Sequence, residues 1–246
     1  MRISRIYTQA NLQAHSCIEL EAQASHYLGK VLRIKLGASV ILFNGKGGQF
    51  EACVASIDKK HITLQILNFI EGDCESPLHI HLGIAISRGE RMDHIMQKTT
   101  ELGVSEITPL FSERSEVKIK GERLEKKLQH WRNIIVNACE QCGRNQLPKL
   151  NTANTVADWA SFAHAEQKLV LHHRTNKRLD ELLTINNVKP KSVILLIGPE
   201  GGLSQKEVEL VQNKDFNTLS LGPRVLRTET APLAAITLLQ HRWGDM

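Results

Sequence analysis

Two patterns of apolar residues divide the chain. Before Glu71 the apolar positions alternate with polar ones over short stretches, the period of half-buried strands. From Leu78 onward short apolar runs alternate with longer stretches of helical period, the signature of an α/β domain with a largely parallel sheet. The strongest run, Ser192-Val193-Ile194-Leu195-Leu196-Ile197, is almost uniformly apolar, which predicts a central strand buried on both faces. Further strands are expected at 79–86, 107–111, 168–171 and 218–221. Helices are expected at 90–102, closed by Gly103, and at 123–142, closed by Gly143. Ser204 and Glu207 have capping-box spacing, so another helix should start at Ser204. A last helix follows Thr230, with Pro232 in its first turn and Leu233, Ile236 and Leu239 on one face. That face is either core or a surface for a second copy of the chain.

In the first seventy residues strands are expected from Ile3 to Tyr7 and at 39–43, 50–57 and 61–70, with a helix at 26–34. Asn44-Gly45 predicts a tight turn, since both residue types accept positive φ. These elements suggest a small antiparallel barrel or sandwich. The segment Glu71-Gly72-Asp73-Cys74-Glu75-Ser76-Pro77 is polar and ends in proline, so it reads as a linker between a domain at 1–70 and a second at 78–246.

Candidate chemistry is concentrated where two glycine-bearing loops each follow a strand and precede a helix. The first is Gly198-Pro199-Glu200-Gly201-Gly202-Leu203-Ser204. The second is Leu221-Gly222-Pro223-Arg224-Val225-Leu226-Arg227-Thr228-Glu229-Thr230-Ala231. Neither has the Gly-Lys-Ser/Thr of a phosphate-binding P-loop or the Gly-x-Gly-x-x-Gly of a dinucleotide fold. Exposed amides at the carboxyl ends of strands nevertheless suit a ligand.

The composition is that of an ordinary globular protein, with 41% hydrophobic and 23% charged residues among 246. No stretch has the length of a membrane helix or a signal peptide, which leads to the expectation of a cytoplasmic protein. Five scattered cysteines suit reduced thiols, and Cys139-x-x-Cys142 lacks the second ligand pair of a zinc site, so no metal is expected. Charge is uneven. Residues 1–70 carry eight Lys or Arg against four Asp or Glu, +4, and the remainder carries 23 against 22, +1. Arg2, Arg5, Lys30, Arg33, Lys35 and Lys46 are therefore candidates for phosphate contacts, and no aromatic stacking platform accompanies them.

The two loops, together with Gln97-Lys98-Thr99-Thr100-Glu101-Leu102-Gly103-Val104 and Ala138-Cys139-Glu140-Gln141-Cys142-Gly143-Arg144, resemble the motifs of the RsmE-type ribosomal RNA methyltransferases of the SPOUT class. The likeness runs along nearly the whole chain. It implies a PUA-like RNA-binding β-barrel, then a SPOUT α/β domain tied in a deep trefoil knot. It further implies a homodimer that transfers a methyl group from S-adenosyl-L-methionine to N3 of a uridine in 16S ribosomal RNA, either as free small-subunit RNA or in the assembled 30S subunit.

Mapped onto three strand-end loops, the resemblance assigns the cofactor to Leu171, His172, Ile197, Gly198, Glu200, Gly201, Gly202, Leu221, Gly222, Leu226 and Thr228. Uridine N3 must lose a proton, so a base or an electrostatic aid is needed, and the base must be unpaired or rotated out to be reached. Candidates are Arg88, Glu200, Arg227 and Glu229, with Arg224 a further phosphate or anion holder, and which residue is the base stays open. Each has a structural alternative: Glu200 as a helix cap, Arg227 paired with Glu229, Thr230 as an N-cap, His172 and His173 merely exposed. Arg114, Lys118 and Lys120 form a basic loop suited to RNA. Two other readings remain, a ribose 2′-O-methyltransferase on the same scaffold and a non-catalytic RNA-binding factor.

Overall fold

In the computed structural model residues 3–58, 61–173, 175 and 189–246 are described. The alternating pattern of the first seventy residues gives β1 (Ser4–Tyr7), β2 (Cys17–Glu19), β3 (Ser39–Phe43), β4 (Gln49–Ile57) and β5 (Ile62–Ile70), ordered β1-β3-β4-β5-β2. The pairs β3–β4, β4–β5 and β2–β5 are antiparallel, but β1 and β3 run parallel. The expected all-antiparallel module is thus a mixed sheet, and the long connection between β1 and β3 supplies the crossover a parallel pair requires. One face buries Ile6, Leu20, Leu28, Val40, Leu42, Val54, Leu64 and Ile66.

The helix expected at 26–34 begins earlier, as α1 (Ala22–His26), and continues as a π-helical turn at Tyr27–Val31. It stops there because Arg33 adopts φ 50. At the 44–48 turn positive φ falls on Gly45, Gly47 and Gly48 and not on Asn44, whose Oδ1 instead accepts from Lys46 N at 3.2 Å.

Residues 136–147 belong to this first compact unit together with 1–75, while 76–135 and 148–246 make the second. Arg144 is buried and pairs with Glu75, Asn145 Nδ2 donates to Gly72 O at 3.0 Å, and Tyr7 N donates to a Glu140 carboxylate at 3.0 Å. Residues 72–75, read as linker, are thereby tied into the unit.

The second unit contains β6 (His79–Ala85), α2 (Arg91–Glu101), β7 (Glu106–Phe111), α3 (Glu122–Cys142, whose last turns lie in the first unit), β8 (Lys149–Leu150) and β9 (Asn154–Thr155). Then come α4 (Val156–Phe162), β10 (Gln167–Leu171), β11 (Ser192–Ile197), α5 (Gln205–Gln212), β12 (Asn217–Leu219) and α6 (Thr230–Trp243). The strands are all parallel in the order β12-β10-β11-β6-β7-β8, with β9 also on β7. β11 lies between β10 and β6 with Val193 to Leu196 fully buried, as its apolar run predicts.

On β6, Gly83 leaves room for the indole of Trp159 from α4, since a Cβ there would lie 2.4 Å from the ring. Near the start of β6, His81 Nε2 is 2.8 Å from Thr108 Oγ1 and accepts from Trp159 Nε1 at 3.4 Å. Its Nδ1 lies 3.9 Å from Glu106, a carboxylate that also accepts from Asn151 at 2.7 Å and Lys149 at 3.1 Å. Of the predicted face of α6, Ile236 and Leu239 are buried in the core and Leu233 is half-buried; Leu238 beside it is exposed.

Candidate functional site

Because the strands of the second unit are parallel, their carboxyl ends share one edge, and the loops leaving them meet there. The loop after β11 turns at Pro199, whose carbonyl accepts from Gly202 N at 2.8 Å, with Gly202 at φ 67. Glycine is required at 198 by close packing, as a Cβ would lie 2.8 Å from Leu203 N. The predicted capping box is present: Ser204 Oγ accepts from Glu207 N at 3.1 Å and Glu207 Oε2 from Ser204 N at 2.8 Å.

Glu207 does more than the sequence suggests. Its buried carboxylate also accepts from Glu113 N at 3.0 Å and Ser112 Oγ at 3.1 Å, fastening the loop after β7 to the loop after β11. Arg114 lies in the same fastening, donating to Gly201 O at 3.0 Å, so this residue, expected on RNA, supports the glycine loop.

In the loop after β12, Arg227 O accepts from Thr230 N and Ala231 N, both at 2.9 Å. The N-cap of α6 is Glu229, without a side-chain cap bond, and Thr230 is the first helical residue rather than the cap. Thr228 is buried, Leu221, Gly222 and Leu226 are half-buried, and Arg224, Val225 and Arg227 are exposed. After β10, His172 N donates to Leu219 O at 3.0 Å, binding that loop to the end of β12; His172 is half-buried and His173 exposed. Leu171 ends β10 half-buried and Ile197 ends β11 buried.

A residue that no sequence motif singles out joins the two carboxylates. Arg91, the first residue of α2, donates from Nη1 to Glu200 Oε1 and places Nε 3.6 Å from Glu229 Oε2. Glu229 is therefore paired with Arg91 and not with Arg227. Arg88, three residues earlier, is drawn off to Glu116 at 2.9 Å, with both side chains about two-thirds exposed, so it is not assembled with Glu200 and Glu229. Nothing in the sequence separates Arg88 from Arg91. The distinction comes from register, because β6 lies directly beside β11 from His79↔Ser192 to Ile84↔Ile197 and delivers the start of α2 to the first loop.

Of the basic residues in the first unit, Lys30, Arg33, Lys35 and Lys46 are exposed, and Arg2 lies outside the described residues. Tyr27, 41% exposed, opens the π-helical turn that carries Lys30. Arg5 has another task. It donates to Gln49, to Asn145 Oδ1 at 2.6 Å and to the carbonyls of Gly143 and Arg144 at 3.1 and 3.3 Å, and it stands 5.1 Å from the Phe43 ring. Burial holds its pKa below the ordinary arginine value, against nearby thiols and Glu140 that pull it upward. These bonds commit its guanidinium to the fold. Lys118 and Lys120 are exposed in the second unit. Among the described residues no His, Cys, Asp and Glu cluster fit for a metal ion occurs, and no helix is long and apolar enough to cross a membrane.

Fold and site together define an RNA methyltransferase. The family model of the RNA methyltransferase domain matches residues 74–240, and that of the RNA methyltransferase PUA domain matches residues 20–67. A relative from Buchnera aphidicola subsp. Schizaphis graminum, a ribosomal RNA small subunit methyltransferase E, is 40% identical over 100% of this chain and 98% of its own. A methyltransferase structure from Legionella pneumophila in complex with S-adenosylmethionine aligns with a TM-score of 0.96 and 44% identity, covering 100% of both chains. A ribosomal RNA small subunit methyltransferase E from Neisseria gonorrhoeae, bound to S-adenosylmethionine, aligns at 0.91 and 34%, again over 100% of both chains. The chain belongs to the ribosomal RNA small subunit methyltransferase E family.

Proposed function

We propose that the protein transfers the methyl group of S-adenosyl-L-methionine to N3 of a uridine in small-subunit ribosomal RNA. The observation that carries this reading is the meeting of the loops after β10, β11 and β12 at one sheet edge, with Glu200 and Glu229 brought together there. The cofactor fits that edge. A Cβ added at Gly202 or Gly222 would have no heavy atom within 4 Å, so both glycines border open space. Leu221 and Leu226 supply half-buried apolar surface, and Ile197, Gly198, Gly201 and His172 offer backbone groups for an adenosine. When bound, S-adenosylmethionine supplies an electrophilic methyl carbon.

The chain's own part is positioning and proton removal. A uridine rotated out of its stack presents N3–H, and Glu200 and Glu229, the two carboxylates that Arg91 joins, are the candidates to accept that proton. Arg224 and Arg227, both exposed, would hold a phosphate or the developing charge on O2 or O4. Lys30, Arg33, Lys35, Lys118 and Lys120 would meet the RNA backbone. We further propose a homodimer and a trefoil-knotted passage of the chain, both implied by the sequence resemblance; light scattering at twice 27.6 kDa checks the former.

The test uses small-subunit RNA from cells lacking the protein, offered both free and in assembled 30S subunits with labelled S-adenosylmethionine. The expected product is N3-methyluridine at one site. Label on a ribose 2′-oxygen would support the other SPOUT chemistry, and no label with either substrate would support a binding factor.

A further inference from the structure

Glu200 and Glu229 leave different strands, yet both turn toward one guanidinium. We infer that Arg91 is a positioning residue: through these two carboxylates it holds the loops after β11 and β12 at a fixed separation, so the cofactor meets both already in register. The inference rests on reading these loops as the cofactor site.

Three features support it. Arg91 uses two separate nitrogens, Nη1 toward Glu200 and Nε toward Glu229, a two-directional grip that a planar guanidinium provides and a lysine ammonium does not. Its backbone is anchored at the start of α2, separated by five residues from a strand in continuous register with β11, so both ends of the clamp rest on the same sheet. Among the described residues neither carboxylate makes another ion pair, while Arg88 is engaged by Glu116 and Arg114 by Gly201 O. Without Arg91 the two carboxylates would be like charges at close range, and their repulsion would push the loops apart. Holding loops in the bound arrangement removes an ordering cost that the ligand would otherwise bear.

The experiment compares full-length wild type with Arg91→Gln, Arg91→Lys, Glu229→Gln and the Arg91→Gln/Glu229→Gln double variant. It measures S-adenosylmethionine affinity by calorimetry without RNA, the urea midpoint, and steady-state methylation of small-subunit RNA. Loss of this charged grip in Arg91→Gln should weaken cofactor binding about tenfold and raise KM for the cofactor more than it lowers kcat. The urea midpoint should stay near wild type, because the pair is about one-third exposed and contributes little to folding. Arg91→Lys should recover part of the loss. The double variant should bind no more weakly than Arg91→Gln, since Arg91 acts through Glu229. Cofactor affinity in Arg91→Gln within twofold of wild type would overturn the inference, as would losses of cofactor affinity that multiply in the double variant, or a fall in kcat with KM unchanged in Arg91→Gln. A wild-type protein that binds no S-adenosylmethionine would overturn the reading of the site itself.

Discussion

Acid should destabilise this protein through His81, a residue at the opposite end of β6 from the site. Burial pushes its pKa from 6.5 to about 4, with His79 and Lys149 acting in the same direction and the nearby Glu106 carboxylate opposing. The folded state therefore resists the proton that the unfolded chain accepts. The stability due to this difference is fully present above pH 6.5, falls as pH drops from 6.5 toward 4, and is gone below. For a shift of this size the loss between pH 7 and pH 5 is about 2 kcal/mol, and about 3 kcal/mol once the full window is crossed. Urea unfolding of wild type and His81→Gln at pH 7, 6 and 5 measures it. Glutamine can accept from Trp159 Nε1 but does not titrate. His81→Gln should start lower at pH 7 and lose about 2 kcal/mol less than wild type on going to pH 5. Parallel pH dependences in the two proteins would refute the assignment.

Gly83→Ala should lower the unfolding free energy by about 2 kcal/mol or more in urea titrations, because its methyl would overlap the buried Trp159 indole and neither β6 nor α4 is free to withdraw. In RNA binding, Lys30→Ala, Arg33→Ala and Lys35→Ala together should flatten the dependence of log affinity on log salt by about one unit per lost phosphate contact, with cofactor affinity unchanged. Arg5→Ala should leave that slope alone and instead reduce stability, since its bonds run to Asn145 and the carbonyls of Gly143 and Arg144.

What is legible in the sequence is what local chemistry dictates. A short run of β-branched and aliphatic residues without a strong polar one is the pattern of a strand covered on both faces, and Ser192–Ile197 is that strand. Ser204 and Glu207 encode a helix start in their spacing alone. The two glycine loops can be located because both signals are contiguous. Arg91 cannot be chosen, because its partners are 109 and 138 positions away and the choice over Arg88 depends on β6 lying beside β11, which no periodicity reports. Arg5 misleads for a related reason: a cation in a basic segment reads as solvent-facing, but carbonyls from residues 143 and 144 surround it. The parallel β1–β3 pair escapes the sequence because alternation fixes which face a residue takes and not the direction of its neighbouring strand.

The long helix α3 looks from sequence like one continuous amphipathic element, yet it begins in one unit and ends in the other. This has a consequence for synthesis. The first unit is made of 1–75 and 136–147, so the ribosome must add 60 residues of the second unit before the missing piece is polymerised. At translation rates of about 5–20 residues per second the delay is roughly 3–12 s. During that interval Glu75 waits for Arg144 and Tyr7 for Glu140, and Arg5 has none of its three partners at 143–145. The five strands of the amino-terminal sheet lie between Ser4 and Ile70 and are synthesised first, but the unit around them is complete only after more than half the protein has been made, and any stall between codons 76 and 135 leaves an unfinished nascent domain for chaperones to guard.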